Sequence, residues 1–226
     1  MKVVTELHAV TEPCAFTIGM FDGVHLGHQQ LLCKLGSYGL PSVVLTFPEH
    51  PLRVLGGNAP KLITSLHVKL ALLETLGIHT TVVIPFTKQF AETSYSELLS
   101  SLPVKQLLFG QGAAFGKGRL GDETAVRAWA KKHHAAVEYI EKTIPVSSTK
   151  IREAIASGDL IQAEMLLGHP HLLYVPQHVQ QWDVSDLALP EGTYSLAPGL
   201  TAHISNGQVQ LSKPVHPHIY PLRNTP

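Results

Sequence analysis

The chain has 226 residues, 44% of them hydrophobic and 15% charged, with 17 basic side chains balanced by 17 acidic ones. That length, about one and a half times the usual ~150-residue domain, predicts one good-sized domain with an appendage, and so apolar a composition excludes extensive disorder. Balanced charge provides no net field for nucleic acid or an acidic membrane, so neither is expected as a partner and any basic site must be local.

Cys14 and Cys33 form neither a C-x-x-C pair nor a disulfide framework, the usage a reducing compartment leaves. Residues Met1 to Phe16 carry Glu6, Glu12 and Pro13 where a leader peptide needs an apolar run, and nowhere do about 18 apolar residues run together. The expectation is a cytoplasmic protein without a membrane span, its oligomeric state left open.

From Ala15 to Ile140, short β-branched apolar runs alternate with segments of helical period, the pattern of a parallel sheet flanked by helices. The fold class expected is α/β, with a small β appendage at the C-terminal end. A first strand, Ala15 to Ile18, runs into the turn Gly19-Met20-Phe21-Asp22-Gly23-Val24 and then a helix from Leu26 to Leu35. At its start stand His25 and His28, a spacing that puts both on one helical face. A helix N-terminus presents unpaired N–H groups and the positive end of its dipole, so this strand–turn–helix is suited to phosphates. Two readings compete: a pair of satisfied or solvent-facing histidines with no role in binding, and a metal pair, although a zinc site wants a third protein ligand and only the remote His50 offers itself. Asp22 is read equally as a turn residue bonding its own backbone and as a direct participant.

Further strands are expected at Ser42 to Phe47, Thr80 to Phe86, Gln106 to Gly110 and Ala136 to Ile140, with helices near Ser65 to Leu76, Ser94 to Leu102 and Glu123 to His133. In the first of these helices Leu66, Leu70, Leu73 and Leu76 form one apolar stripe, read as core and nothing more. Ligands of open parallel sheets sit beyond the carboxyl ends of the strands. That rule selects the loops starting at Gly19, Phe47 and Gly110. The second holds His50-Pro51, and the third, Gly110 to Gly121, holds the basic pair Lys117 and Arg119 and reads as a substrate loop.

Ser147, Ser148 and Thr149 open a helix running from Ser148 to Ala156. One hydroxyl suffices for a cap, so three exceed what capping requires. Arg152 falls on the same face as Ser148 and Thr149 and is placed to fork onto phosphate oxygens. A second helix, Leu160 to Leu167, follows Gly158 as a stop and Asp159 as a cap. After Gly168 the texture turns proline-rich, with β-like runs at Thr201 to Ile204 and Gln208 to Leu211 joined by the hairpin signal Asn206-Gly207.

The segments Gly19 to His28, Phe115-Gly116-Lys117-Gly118-Arg119-Leu120-Gly121-Asp122 and Val146 to Arg152, together with Gly158 to Pro170, resemble the bacterial FAD synthetase family over about residues 1 to 172. The resemblance implies a Rossmann-like sheet of the HxGH nucleotidylyltransferase type in residues 1–172, with 173–226 as a short degenerate or truncated riboflavin-kinase-like β remnant. It implies transfer of AMP from ATP to FMN, giving FAD and pyrophosphate, with Mg2+ accompanying ATP and no protein-held metal. His25, His28, Ser148, Thr149 and Arg152 would be catalytic. Gly19, Phe21, Asp22, Gly23, His50, Phe115, Gly116, Lys117, Arg119 and Ser147 would bind the ligands. Met20 stands where that family usually has Asn, Gly112-Ala113 where it has an acid or amide followed by Phe, and Pro48-Glu49 where it has Asp-Pro. The loop changes fall where the flavin is expected, so a nucleotidylyltransferase for another phosphorylated small molecule, or a non-catalytic nucleotide- or flavin-binding homologue, stays open. After Gly168 the family's kinase nucleotide loop and Pro-Thr-Ala-Asn segment have no counterpart, so riboflavin kinase activity is not expected.

Overall fold

The computed structural model describes residues 1–177 and 179–225. Two compact units emerge: the first comprises Met1–Met20, Gly27–Ala59 and Leu73–Ile144, the second Phe21–Leu26, Pro60–Leu72 and Pro145–Pro226.

The first unit is built on six strands, β1 (Lys2–Val4), β2 (Cys14–Ile18), β3 (Ser42–Thr46), β4 (Thr80–Val83), β5 (Val104–Gly110) and β6 (Ala136–Ile140). They form one sheet in the order β1-β4-β3-β2-β5-β6, with every pairing parallel. All five residues of β3 are buried, as expected of a β-branched run covered on both faces. The expected strands at residues 42–47 and 80–86 stop short, at Thr46 and Val83. Pro48 and Pro85 follow closely, a residue type that cannot donate to a ladder, and Phe47 and Phe86 instead join Phe90 in an edge-to-face cluster with centroids 5.3 to 5.7 Å apart. The edge strand β1, too short to show a period, has no counterpart in the sequence reading.

The helices are α1 (Leu26–Gly36), α2 (Leu66–Thr75), α3 (Lys88–Ala91), α4 (Tyr95–Ser100), α5 (Glu123–Lys132), α6 (Ser148–Ala156) and α7 (Leu160–Leu167). Their starts follow local chemistry. Ser94 and Glu97 form a reciprocal capping box at α4, Asp122 accepts from the Ala125 N–H at α5, and Asp159 does the same for Gln162 at α7. Phe16, Leu45, Leu99, Leu107, Phe109 and Trp129 make the centre of the first unit's core. No described helix is long and apolar enough to cross a membrane.

The second unit contains α6, α7 and seven further strands: β7 (Leu172–Val175), β8 (Gln181–Asp183), β9 (Gly192–Ala197), β10 (Leu200–Ser205), β11 (Gln208–Leu211), β12 (His218–Pro221) and β13 (Arg223–Asn224). Five form an antiparallel sheet, β13-β9-β10-β11-β8, and β12 pairs with β7. The β10–β11 hairpin turns on Asn206 (φ 51) and Gly207 (φ 72), the left-handed pair such a turn requires. This β structure has its own core of Tyr194, Leu196, Ala202, Ile204, Val209 and Leu211, a larger assembly than the two runs legible in the sequence.

The strand order reverses at β2: the chain continues to β3 and β4 on one side, and β5 and β6 lie on the other. The carboxyl ends of β2 and β5, at Ile18 and Gly110, therefore flank the sheet's topological switch point, where doubly wound sheets take their ligands.

Candidate active site

Beyond β2, the Gly19 N–H donates to the Leu45 carbonyl at 3.0 Å, and the chain then enters a tight turn. Phe21 (φ 47), Gly23 (φ 75) and Val24 (φ 40) all take left-handed conformations. For Val24, a β-branched residue, this is strained backbone of a kind that surrounding structure must impose. The restraint comes from the segment ahead of α2. Asp22 is buried, and its carboxylate accepts from the N–H of Ile63 at 2.9 and 3.1 Å and of Thr64 at 3.2 Å. The Gly23 N–H donates to Thr64 Oγ1 at 3.2 Å, and His169 Nε2 lies 2.9 Å from the Gly23 carbonyl. A Cβ on Gly23 would sit 3.0 Å from both Ile63 Cγ2 and Leu167 Cδ2. Sterics as well as backbone conformation thus demand glycine there.

His25 follows with extended backbone (φ −63, ψ 170) and is buried, whereas α1 begins at Leu26. The expectation that both histidines share one helical face needs correcting, because only half-buried His28 lies inside the helix. His25 is held by the turn.

At α6, Ser147 is the cap, accepting from the Lys150 N–H at 3.3 Å. The cap occupies Ser147 alone and leaves Ser148 and Thr149 in the first helical turn. Arg152 departs from expectation. Its Nη2 donates to Asp22 Oδ2 at 2.6 Å and its Nε to the Lys61 carbonyl at 2.6 Å, so the fork assigned to phosphate grips the turn and the segment before α2. Asp22 is likewise corrected: its carboxylate serves a remote backbone and a guanidinium, not its own turn. A carboxylate shut away from water keeps its charge only with such partners.

Two further groups here were not singled out in the sequence. Lys69 is fully buried on α2, where burial pushes its ammonium down to about 8 against the pull of the nearby Asp22 carboxylate. His171 is fully buried with Nε2 3.1 Å from the Ile63 carbonyl, and burial pushes its ring down to about 4. The reading of α2 as a core stripe is therefore too simple: of its four leucines only Leu73 is fully buried, and Lys69 is buried with it. A leucine stripe at helical spacing hides a lysine one residue off its register.

The other expected ligand-binding positions lie in the first unit. His50 Nδ1 accepts from the Leu52 N–H at 3.3 Å, capping a short 3-10 turn. Phe115 packs on Phe109 with centroids 5.2 Å apart, and its backbone pairs with Gly121 in both directions at 2.9 and 3.3 Å. The loop is folded down at Gly116, where φ is 75 and any Cβ would fall on the Tyr95 backbone nitrogen. The Lys117 ammonium is paired with Glu92 at 2.6 Å on the surface, and Arg119 is exposed at φ 58. Gly112 (φ 78) has open space around it. Among the described residues no group of three or more His, Cys, Asp or Glu side chains is arranged to hold a metal ion.

The FAD synthetase family model matches residues 7–154, a span that includes the turn, both histidines and Ser147 to Arg152. The chain belongs to the FAD synthetase family. A bifunctional riboflavin kinase/FMN adenylyltransferase of Haemophilus influenzae is 36% identical over 191 residues, covering 77% of this chain and 62% of the relative. The Escherichia coli K12 protein of the same name is 34% identical over 188 residues, 75% of this chain and 60% of the relative. The chain thus matches about three-fifths of the length of these bifunctional relatives. An FAD synthetase of Listeria monocytogenes is 30% identical over 86% of this chain and 85% of its own length. Among solved structures, a macrolide-efflux protein from Streptococcus pneumoniae shares the fold, with a TM-score of 0.76 at 19% identity over 98% of this chain and 88% of that one.

Proposed function

We propose that the chain is an ATP:FMN adenylyltransferase. An oxygen of the FMN phosphate attacks the α-phosphorus of ATP, the bond from that phosphorus to the bridging oxygen breaks, and pyrophosphate leaves as FAD forms. The nucleophile is already an anion, so no protein base is required, and catalysis reduces to alignment and stabilisation of developing charge. In this reading His25 and His28 donate to the phosphates from the turn and α1. Ser148 and Thr149 do so from the start of α6, with the remaining guanidinium N–H groups of Arg152. Gly19, Phe21 and Gly23 shape the nucleotide's backbone contacts, and Asp22 acts by holding Arg152. His50, Phe115, Gly116, Lys117, Arg119 and Ser147 line the approach of the ligands.

The observation that carries this reading is the 2.6 Å pairing of Arg152 with Asp22. It joins the Ser147–Arg152 segment to the turn bearing His25 inside one compact unit, as binding one triphosphate requires. Magnesium enters with ATP as part of the substrate, since ATP-bound magnesium is held largely by phosphate oxygens and water. Residues 1–172 are assigned to AMP transfer and 173–226 to a β appendage without riboflavin kinase activity. Two unpaired cysteines, one exposed, fit a reducing cytoplasm. Neither nucleic acid nor membrane is proposed as a partner.

A second reading is favoured by one observation. Gly112, with open space around it, and Ala113, packed against the first unit's core, stand where the family usually has larger side chains, so the acceptor in place of FMN would be another phosphorylated small molecule. Incubation with ATP, magnesium and either FMN or riboflavin, with chromatography of the products, tests both. FAD from FMN alone is the expected result. AMP transfer to other phosphorylated acceptors but not FMN would support the second reading, FAD from riboflavin would overturn the absence of kinase activity, and absence of any transfer would leave a binding protein.

A further inference from the structure

The loop from Gly110 to Gly121 carries nothing larger than a methyl group at Gly112, Ala113 and Ala114, so its side chains there supply little to hold it. Its far half is held instead by the short connection between α3 and α4. The Lys117 N–H donates to the Thr93 carbonyl at 2.9 Å, and the Lys117 ammonium reaches Glu92 at 2.6 Å. Tyr95, half-buried against the first unit's core, meets two of the loop's glycines. A Cβ on Gly116 would fall on the Tyr95 backbone nitrogen, and one on Gly121 would come within 2.5 Å of its Cβ and 3.0 Å of its Cγ, where the ring begins. Approach this close is open only to glycine. Phe115 and Gly121 bond each other's backbone at 2.9 and 3.3 Å, closing the loop beside that contact, and Phe115 in turn packs on Phe109 near the carboxyl end of β5.

We propose that Tyr95 is a positioning residue for the acceptor: its ring, set against Gly121, fixes the closed loop and so holds Phe115 where FMN is received. The effect on FMN rests on the AMP-transfer reading, in which the turn and α6 take the triphosphate and the loop beyond β5 is left for the acceptor. The clasp itself is a property of the folded chain. The root of the ring makes the contact, not the hydroxyl, so phenylalanine serves as well as tyrosine. A loop that spends only about a tenth of its time in the competent position weakens apparent affinity by about tenfold without altering the step that follows binding.

Steady-state kinetics and amide hydrogen exchange test it together. Tyr95→Ala should raise KM for FMN by about tenfold while KM for ATP and kcat stay within about twofold, and Tyr95→Phe should keep the wild-type values. The Lys117 and Gly121 amide protons, which donate to Thr93 and Phe115, should exchange about tenfold faster in Tyr95→Ala and at the wild-type rate in Tyr95→Phe. Should the alanine variant fold poorly, Tyr95→Leu keeps apolar bulk for the core but branches at the atom that meets Gly121, and the same split between FMN and ATP is expected of it. An unchanged KM for FMN, equal losses for both substrates, or a phenylalanine variant as impaired as alanine overturns the assignment, and unchanged exchange at Lys117 and Gly121 overturns the clasp. If the wild type transfers no AMP to FMN, the adenylyltransferase reading fails and the acceptor role falls with it, while exchange at the same two amides still decides the clasp.

Discussion

Arg152 and Asp22, 130 residues apart in sequence, meet at 2.6 Å with the carboxylate fully enclosed and the guanidinium mostly so. Asp22 also receives the N–H groups of Ile63 and Thr64, so one side chain ties the turn, the segment before α2 and α6 together. Removing one member of such a pair strands a buried charge, at a cost on the order of 3 kcal/mol. Asp22→Asn should lower unfolding stability by about that much in urea titrations and lower turnover with it. Adding Arg152→Gln should then cost far less than it does alone. Additive losses would deny the coupling.

Arg152→Lys separates charge from geometry. A lysine keeps the charge but lacks the planar fork that reaches Asp22 and the Lys61 carbonyl together. Calorimetry should show weaker ATP binding by roughly tenfold, the effect of losing one charged hydrogen bond. Unchanged affinity would remove Arg152 from the triphosphate site.

His28 lies half-exposed in the first turn of α1. His28→Ala should reduce kcat by roughly 10²- to 10³-fold, the usual loss when one preorganised donor to developing charge is removed. Its melting temperature should move by only about 2–4 °C. A large melting shift with the rate preserved would make His28 a structural residue.

Gly116 admits no side chain, because an added Cβ would fall on the Tyr95 backbone rather than on a flexible side-chain tip. Gly116→Ala is expected to destabilise the chain by about 2 kcal/mol or more, from steric overlap and the left-handed φ together. The loop Gly110–Gly121 should then become a site of limited proteolysis, which it should not be in the wild type.

His171 makes stability depend on pH on the acid side. Its ring is held neutral in the folded chain down to about 4 but titrates near 6.5 when unfolded. Between those values the unfolded state binds more protons, so stability is whole above about pH 6.5 and drains away as pH falls toward 4. The full difference is on the order of 3 kcal/mol. Urea midpoints at pH 7 and pH 4.5 should differ by less in His171→Asn than in the wild type, and an equal difference would exclude the ring as the cause.

The sequence by itself determined the parallel α/β plan, the positions of β2, β6, α6 and α7, the Asn206-Gly207 hairpin and a hydroxyl cap for α6 among Ser147, Ser148 and Thr149, of which the structure selects Ser147. Each follows from spacing over a few residues: runs that alternate or recur, glycine where φ turns positive, a hydroxyl ahead of a helix. It also placed the histidine turn beyond a strand end, where a sheet of this kind takes its ligands. Only the tertiary structure decided what Asp22 and Arg152 do, why Lys69 and His171 are buried, and that the described residues of the proline-rich tail fold into strands around their own core. Those outcomes depend on which distant segments pack together. A carboxylate at position 22 looks the same in sequence whether it faces its own turn, a metal or a guanidinium 130 residues away; burial, by removing water as the alternative partner, selects among them.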